Sequence, residues 1–111
     1  MMLKSIFDSL EIEEPSHHPN SLVLLSNDQD ADEDLSCSLF RSLCPVTAQS
    51  DWATIHITYK GKQIIHESLL AYLLSYRNHQ GFHEECVEKI FQDLIERCQI
   101  DSLLVRANYL R

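Results

Sequence analysis

The chain has 111 residues, room for one domain, since domains usually run to about 100–150 residues. It carries 17 acidic residues against 9 Lys and Arg, a formal charge of −8, which argues against the clustered basic surface of a nucleic-acid or anionic-membrane binder. Its apolar content of 44% is that of a globular chain. No apolar run approaches the roughly 18–20 residues of a membrane span, and the N-terminus lacks a secretory layout. A soluble, cytoplasmic protein is expected. The only glycines are Gly61 and Gly81, so Gly-rich phosphate loops and the dinucleotide fingerprint are excluded.

In chain order, residues 1–20 read as an irregular acidic lead-in, with His17-His18 on a solvated, Pro-flanked loop. Residues 21–111 read as a single domain. Residues 21–26 form an apolar, strand-sized run. The acidic stretch 27–34 reads as a solvated loop with capping Asp residues; it lacks the central Gly and spaced Glu of a calcium loop. Residues 34–43, with Leu35, Leu39 and Phe40, read as a short helix. Residues 52–59 alternate strictly, with Ala53, Ile55, Ile57 and Tyr59 on one face, which predicts a strand. Lys60-Gly61-Lys62 reads as a turn. Helices are expected over 66–77 and 82–98, the second with a stripe of Phe82, Cys86, Ile90, Phe91, Leu94, Ile95 and Cys98. Residues 102–110 alternate again, with Leu103, Val105, Ala107 and Tyr109 on one face. The elements predict an α+β sandwich with a helical pair over an antiparallel sheet.

Chemistry has two candidate locations. The first is Cys44-Pro-Val-Thr-Ala-Gln-Ser-Asp51, a thiol at an element junction with a carboxylic acid seven residues on. Cys37, Cys86 and Cys98 read instead as small buried hydrophobes. The second is Asn78-His79-Gln80-Gly81-Phe82-His83-Glu84-Glu85, at the start of the second long helix, where free N–H groups and a positive dipole end meet acidic side chains. The acidic residues there suit capping. A Glu also suits a purine-like base, because its two oxygens accept from adjacent N–H and NH2 donors. His79, His83 and Cys86 fall at i, i+4 and i+7, a spacing that can hold zinc. Gly81 breaks that face, and no metal is expected.

Taken together, Cys44…Thr47-x-Gln49-x-Asp51-Trp52, Tyr72-Leu-x-Ser75-Tyr-Arg77-Asn78-His79 and Phe82-His83-Glu84-x-Cys86-Val87 resemble the NADPH-dependent 7-cyano-7-deazaguanine reductases of queuosine biosynthesis. The resemblance covers roughly residues 35–111 and is closest to the C-terminal half of the two-module form. It implies the tunnelling fold, a ββααββ two-layer sandwich, here lacking its last strand. It implies reduction of the nitrile to an aminomethyl group with NADPH as cofactor, through a thioimide on Cys44. Cys44 should then have a lowered pKa. Asp51 matches the proton donor, which must carry a proton part of the time near neutral pH. His83 and Glu84 match the substrate-binding pair, Glu84 on the deazaguanine N–H and amino groups, with His83 as an alternative proton donor, and Phe82 is placed to pack on the ring. The free base is the small-molecule substrate, no nucleic acid is a partner, and the two-module form implies a homodimer.

The family's Glu-Ser-Lys-Ser stretch, tied to NADPH, has Glu67-Ser68-Leu69-Leu70 in its place, and the Arg-Gly-Gly after the final Tyr-x-Arg does not occur. The cofactor-binding residues are therefore not identified, and a chain truncated at both ends is expected. Two other readings stay open: a fragment without turnover, and a non-catalytic α+β binding or assembly module.

Overall fold

The computed structural model describes residues 19–110. Most of the expected acidic lead-in, His17-His18 included, lies outside the described residues. A single 3-10 turn, Ser21–Val23, precedes β1 (Ser26–Leu43), β2 (Ser50–Ile64), α1 (His66–Leu74), α2 (His83–Arg97) and β3 (Ile100–Tyr109). The three strands form one antiparallel sheet in the order β1-β2-β3. The protein is thus α+β with the order ββααβ, consistent with a tunnelling fold lacking the last strand.

The core lies between the inner sheet face and the helix pair. Ala53, Ile55, Ile57 and Tyr59 of β2 are buried as their alternation predicts, and they meet Leu69, Leu70, Leu73 and Leu74 of α1. On α2 the buried row is Cys86, Ile90 and Leu94, with Cys98 just after the helix. Phe82, Phe91 and Ile95, expected on that stripe, are exposed. The i, i+4 row alone faces the core, and a helix resting on a sheet buries little more than one such row. Asp93, beside that row, is buried because Tyr72 of α1 donates a 2.6 Å hydrogen bond to it and Lys89 pairs with it at 3.3 Å.

The N-terminal third departs from expectation. Residues 21–26 are not a strand. Leu24 is buried, and the Leu25 N–H donates to Ser68 Oγ of α1, so the run plugs the helix instead of joining the sheet. Nor is 27–34 a loop. It is the first half of β1, with Asp30, Asp32 and Asp34 on the outer face and Ala31, Glu33 and Leu35 on the inner. Cross-strand partners hold the acids: Lys62 meets Asp30 at 2.8 Å, Lys60 meets Asp32 at 3.8 Å, and Thr58 donates to Asp34. Tyr59 and His66 hold Glu33. Residues 34–43 are strand, not helix. A bulge between Cys37 and Phe40 shifts the register by one residue. The inward set becomes Leu35, Cys37, Phe40 and Ser42, a mixed spacing that mimics helical periodicity.

Lys60-Gly61-Lys62 is not a turn either, because β2 runs through it to Ile64. Gly61 sits at a second register shift, opposite Ile100, with φ +148°. That conformation is essentially restricted to glycine.

Candidate active site

Cys44 opens the loop that joins β1 to β2, and Leu43 pairs with Ser50 across its base. The loop is closed by Cys44 N–H to the Gln49 carbonyl (2.9 Å) and Ala48 N–H to the Cys44 carbonyl (2.8 Å). Ala48 has φ 59°, a left-handed conformation that a non-glycine residue adopts at a cost of about 1–3 kcal/mol. Pro45 fixes the first step of the turn. The loop is pinned from outside as well. Leu43 N–H donates to the His79 carbonyl (2.9 Å), and Gly81 N–H donates to the Leu43 carbonyl (3.0 Å). These bonds hold Cys44 next to the segment that leads into α2.

Environment sorts the four cysteines, all of them free thiols. Burial pushes Cys37, Cys86 and Cys98 up, which keeps them protonated and unreactive. Cys44 alone is partly exposed and pulled down. The Thr47 hydroxyl donates to its sulfur, and the N–H groups of Thr47 and Val46 add to the effect. Donors converging on sulfur stabilise the thiolate, the nucleophilic form. The charge of Asp51 opposes this, which places the two residues within electrostatic reach.

Asp51 is the first inward residue of β2 and is 3% exposed. Its Oδ2 lies 3.2 Å from Nε2 of His83, in the first turn of α2. The His83 side chain is 37% exposed, so it joins a buried carboxylate to the surface. Its ring lies flat on Tyr109 of β3, with centroids 3.6 Å apart and planes 3° from parallel. Past this stack opens a cleft of about 620 Å³ between α2 and β3, lined by His83, Glu84, Val87, Ala107, Asn108 and Tyr109.

The structure therefore brings Cys44, Asp51 and His83 to one end of the sheet and sets Glu84 beside them on the cleft wall. Phe82 is the N-cap of α2, is exposed and does not line the cleft. Its N–H donates to Glu85 (3.3 Å), which gives Glu85 the capping role. Among the described residues no three His, Cys, Asp or Glu side chains gather as a metal site. His79 sets its ring edge-on to Tyr76 instead. No described helix is long and apolar enough to cross a membrane. Thr47 and Tyr109 enter the site with roles that the sequence did not give them, Thr47 having stood only in the motif around Cys44 and Tyr109 only on the inward face of the last strand and in the final Tyr-x-Arg. Thr47 carried a readable signal, a hydroxyl three residues beyond Cys44 in a Pro turn. Nothing in the sequence signalled the contact of Tyr109 with His83, which spans two elements.

The fold and site define an α+β protein that presents a thiolate-stabilised cysteine beside a buried carboxylate–imidazole pair. Comparison with known proteins makes this specific. The family model described as QueF-like protein matches residues 50–111. The NADPH-dependent 7-cyano-7-deazaguanine reductase of Desulfotalea psychrophila is 44% identical over 109 residues, covering 96% of this chain and 40% of the relative. Those of Paraburkholderia phytofirmans and Buchnera aphidicola are 44% and 47% identical over 106 and 103 residues, covering 94% and 93% of this chain and 39% of each relative. The chain belongs to the QueF-like protein family. It spans about 40% of the length of these relatives.

Proposed function

We propose that this chain carries the covalent half of a nitrile reductase that converts 7-cyano-7-deazaguanine to its 7-aminomethyl product with NADPH, in queuosine biosynthesis. One observation carries the reading. The only cysteine with a lowered pKa sits within electrostatic reach of a buried acid that is paired to a histidine on a cleft. The Cys44 thiolate adds to the nitrile carbon, forming C–S and converting C≡N to C=N. Asp51 gives the nitrogen its proton, so the thioimide forms with no leaving group and no change in electron count. Glu84 accepts from the N–H and amino donors of the base. His83 orients the heterocycle and links it to Asp51. Phe82, outside the cleft wall, packs on the ring only if a ligand reaches the N-cap of α2.

NADPH supplies hydride when bound, but the wall of this cleft does not fit its phosphates. The cleft wall carries Glu84 and Glu88 and no Lys or Arg. Lys60, Lys62 and Lys89 are engaged with Asp32, Asp30 and Asp93. Arg41 is drawn to the Arg77 carbonyl and the Trp52 ring. We therefore place the cofactor's phosphates away from this cleft and assign the thiol addition to Cys44 with Asp51.

Incubation with 7-cyano-7-deazaguanine followed by intact-mass measurement tests the assignment. A gain equal to the whole nitrile, mapped to Cys44, is expected. A folded chain that takes no adduct overturns it.

A further inference from the structure

The acid and histidine of the site are held by a side chain to which no role has been given. Tyr109 ends β3 opposite Ala53, one inward step along β2 from Asp51. Ser42 lies opposite Asp51 on β1. The hydroxyls of Tyr109 and Ser42 are both buried, and neither makes a hydrogen bond of ordinary geometry among the described residues. The Cys86 thiol of α2 lies against both. Buried polar groups without good partners are uncommon and call for an explanation. Here the knot gathers around the hydroxyl of the ring that stacks on His83.

A hydrogen bond to Asp51 fixes one atom of that ring. It leaves the ring plane free to turn about the Cβ–Cγ bond, whose axis passes close to Nε2, so turning moves the bonded atom little. The face-to-face stack at 3.6 Å and 3° removes that freedom by fixing the plane. Two strand contacts steady the clamp itself, the Tyr109–Ala53 pairing and the Leu110 N–H to Trp52 carbonyl bond (3.0 Å).

We infer that Tyr109 is a positioning residue for His83, its ring seated on the Ser42–Cys86 knot and holding the imidazole so that one edge meets Asp51 while the other faces the cleft. This rests on the nitrile reading for what His83 does, but the clamp is a property of the protein alone.

Histidine-labelled NMR of the chain reads the clamp without any ligand. His83 ring protons should be shifted upfield by the Tyr109 ring current and cross-relax with that ring. Tyr109→Leu should abolish both signals. It should also slow nitrile adduct formation at Cys44 by about 10- to 100-fold, the size expected when a reacting geometry is lost, with Cys44 alkylation by iodoacetamide unchanged. Tyr109→Phe keeps the stack and should restore both signals and rate. A native spectrum without the ring-current shift overturns the inference, whether or not Tyr109→Leu folds. So does a folded Tyr109→Leu protein with the native adduct rate. A native protein that shows the stack but takes no adduct overturns the nitrile reading and upholds the clamp.

Discussion

Gly61 is the position where a single methyl group should do most damage to the sheet. A Cβ built there meets the Gln99 carbonyl oxygen at 2.6 Å and the Ile100 Cα at 2.8 Å. Both are backbone atoms, so no side chain can swing away. The φ of +148° adds strain of about 1–3 kcal/mol for a residue with a Cβ. Making room by moving β3 would weaken the Lys62 N–H to Gln99 carbonyl bond (2.8 Å), worth about 1 kcal/mol net. The lower unfolded-state entropy of alanine offsets about 0.4–1 kcal/mol. The net expectation for Gly61→Ala is a loss of about 1–4 kcal/mol, a large share of the roughly 5–15 kcal/mol that holds a domain of this size. Urea unfolding followed by circular dichroism and by the fluorescence of Trp52 measures it. Trp52 lies at the opposite end of β2, so coincident transitions would also show that the sheet unfolds as one unit. A change under about 0.5 kcal/mol at unchanged m-value would refute the close-approach argument.

Two further outcomes follow from particular contacts. Thr47→Val removes the hydroxyl that donates to Cys44, so the thiol pKa should rise. The pH midpoint of Cys44 alkylation should move up with it, and Thr47→Ser should restore it; an unchanged midpoint in Thr47→Val would assign the depression to the backbone N–H groups alone. Tyr72→Phe takes from buried Asp93 its 2.6 Å donor and from Tyr76 its hydroxyl partner at 2.7 Å. It should cost about 1–3 kcal/mol in thermal or chemical unfolding, the cost of an under-satisfied buried group.

How much of this was legible in the sequence depends on whether period and chemistry agreed. In β2 they did, since Ala53, Ile55, Ile57 and Tyr59 alternate with polar residues and all four are buried. In β1 they did not. Asp30, Asp32 and Asp34 sit on an outer face that needs only polarity, so a strand with ordinary alternation reads as an acidic loop. The bulge after Cys37 then breaks the period of two exactly where a helical spacing appears in its place. Gly61 reads as a turn because glycine is used both for turns and for close backbone approach, and only the position of Gln99 separates the two. The site divides along the same line. Cys44 and Asp51 are near in sequence and bracket one hairpin loop, so their proximity follows from local structure. The partnership of Asp51 with His83, and of His83 with Tyr109, spans strands and a helix. The resemblance supplied His83 as a site residue, but only the packed sheet shows what holds its ring.

The proposed function stands most directly on the chemistry of one thiol, that of Cys44. The decisive measurement is the intact mass of the folded chain after exposure to 7-cyano-7-deazaguanine, with Cys44→Ala and Asp51→Asn measured alongside. The native chain should gain the full mass of the nitrile on Cys44. Cys44→Ala should gain nothing, and Asp51→Asn should gain it more slowly for want of a proton donor. An unmodified native chain, or an adduct that persists in Cys44→Ala, would contradict the assignment.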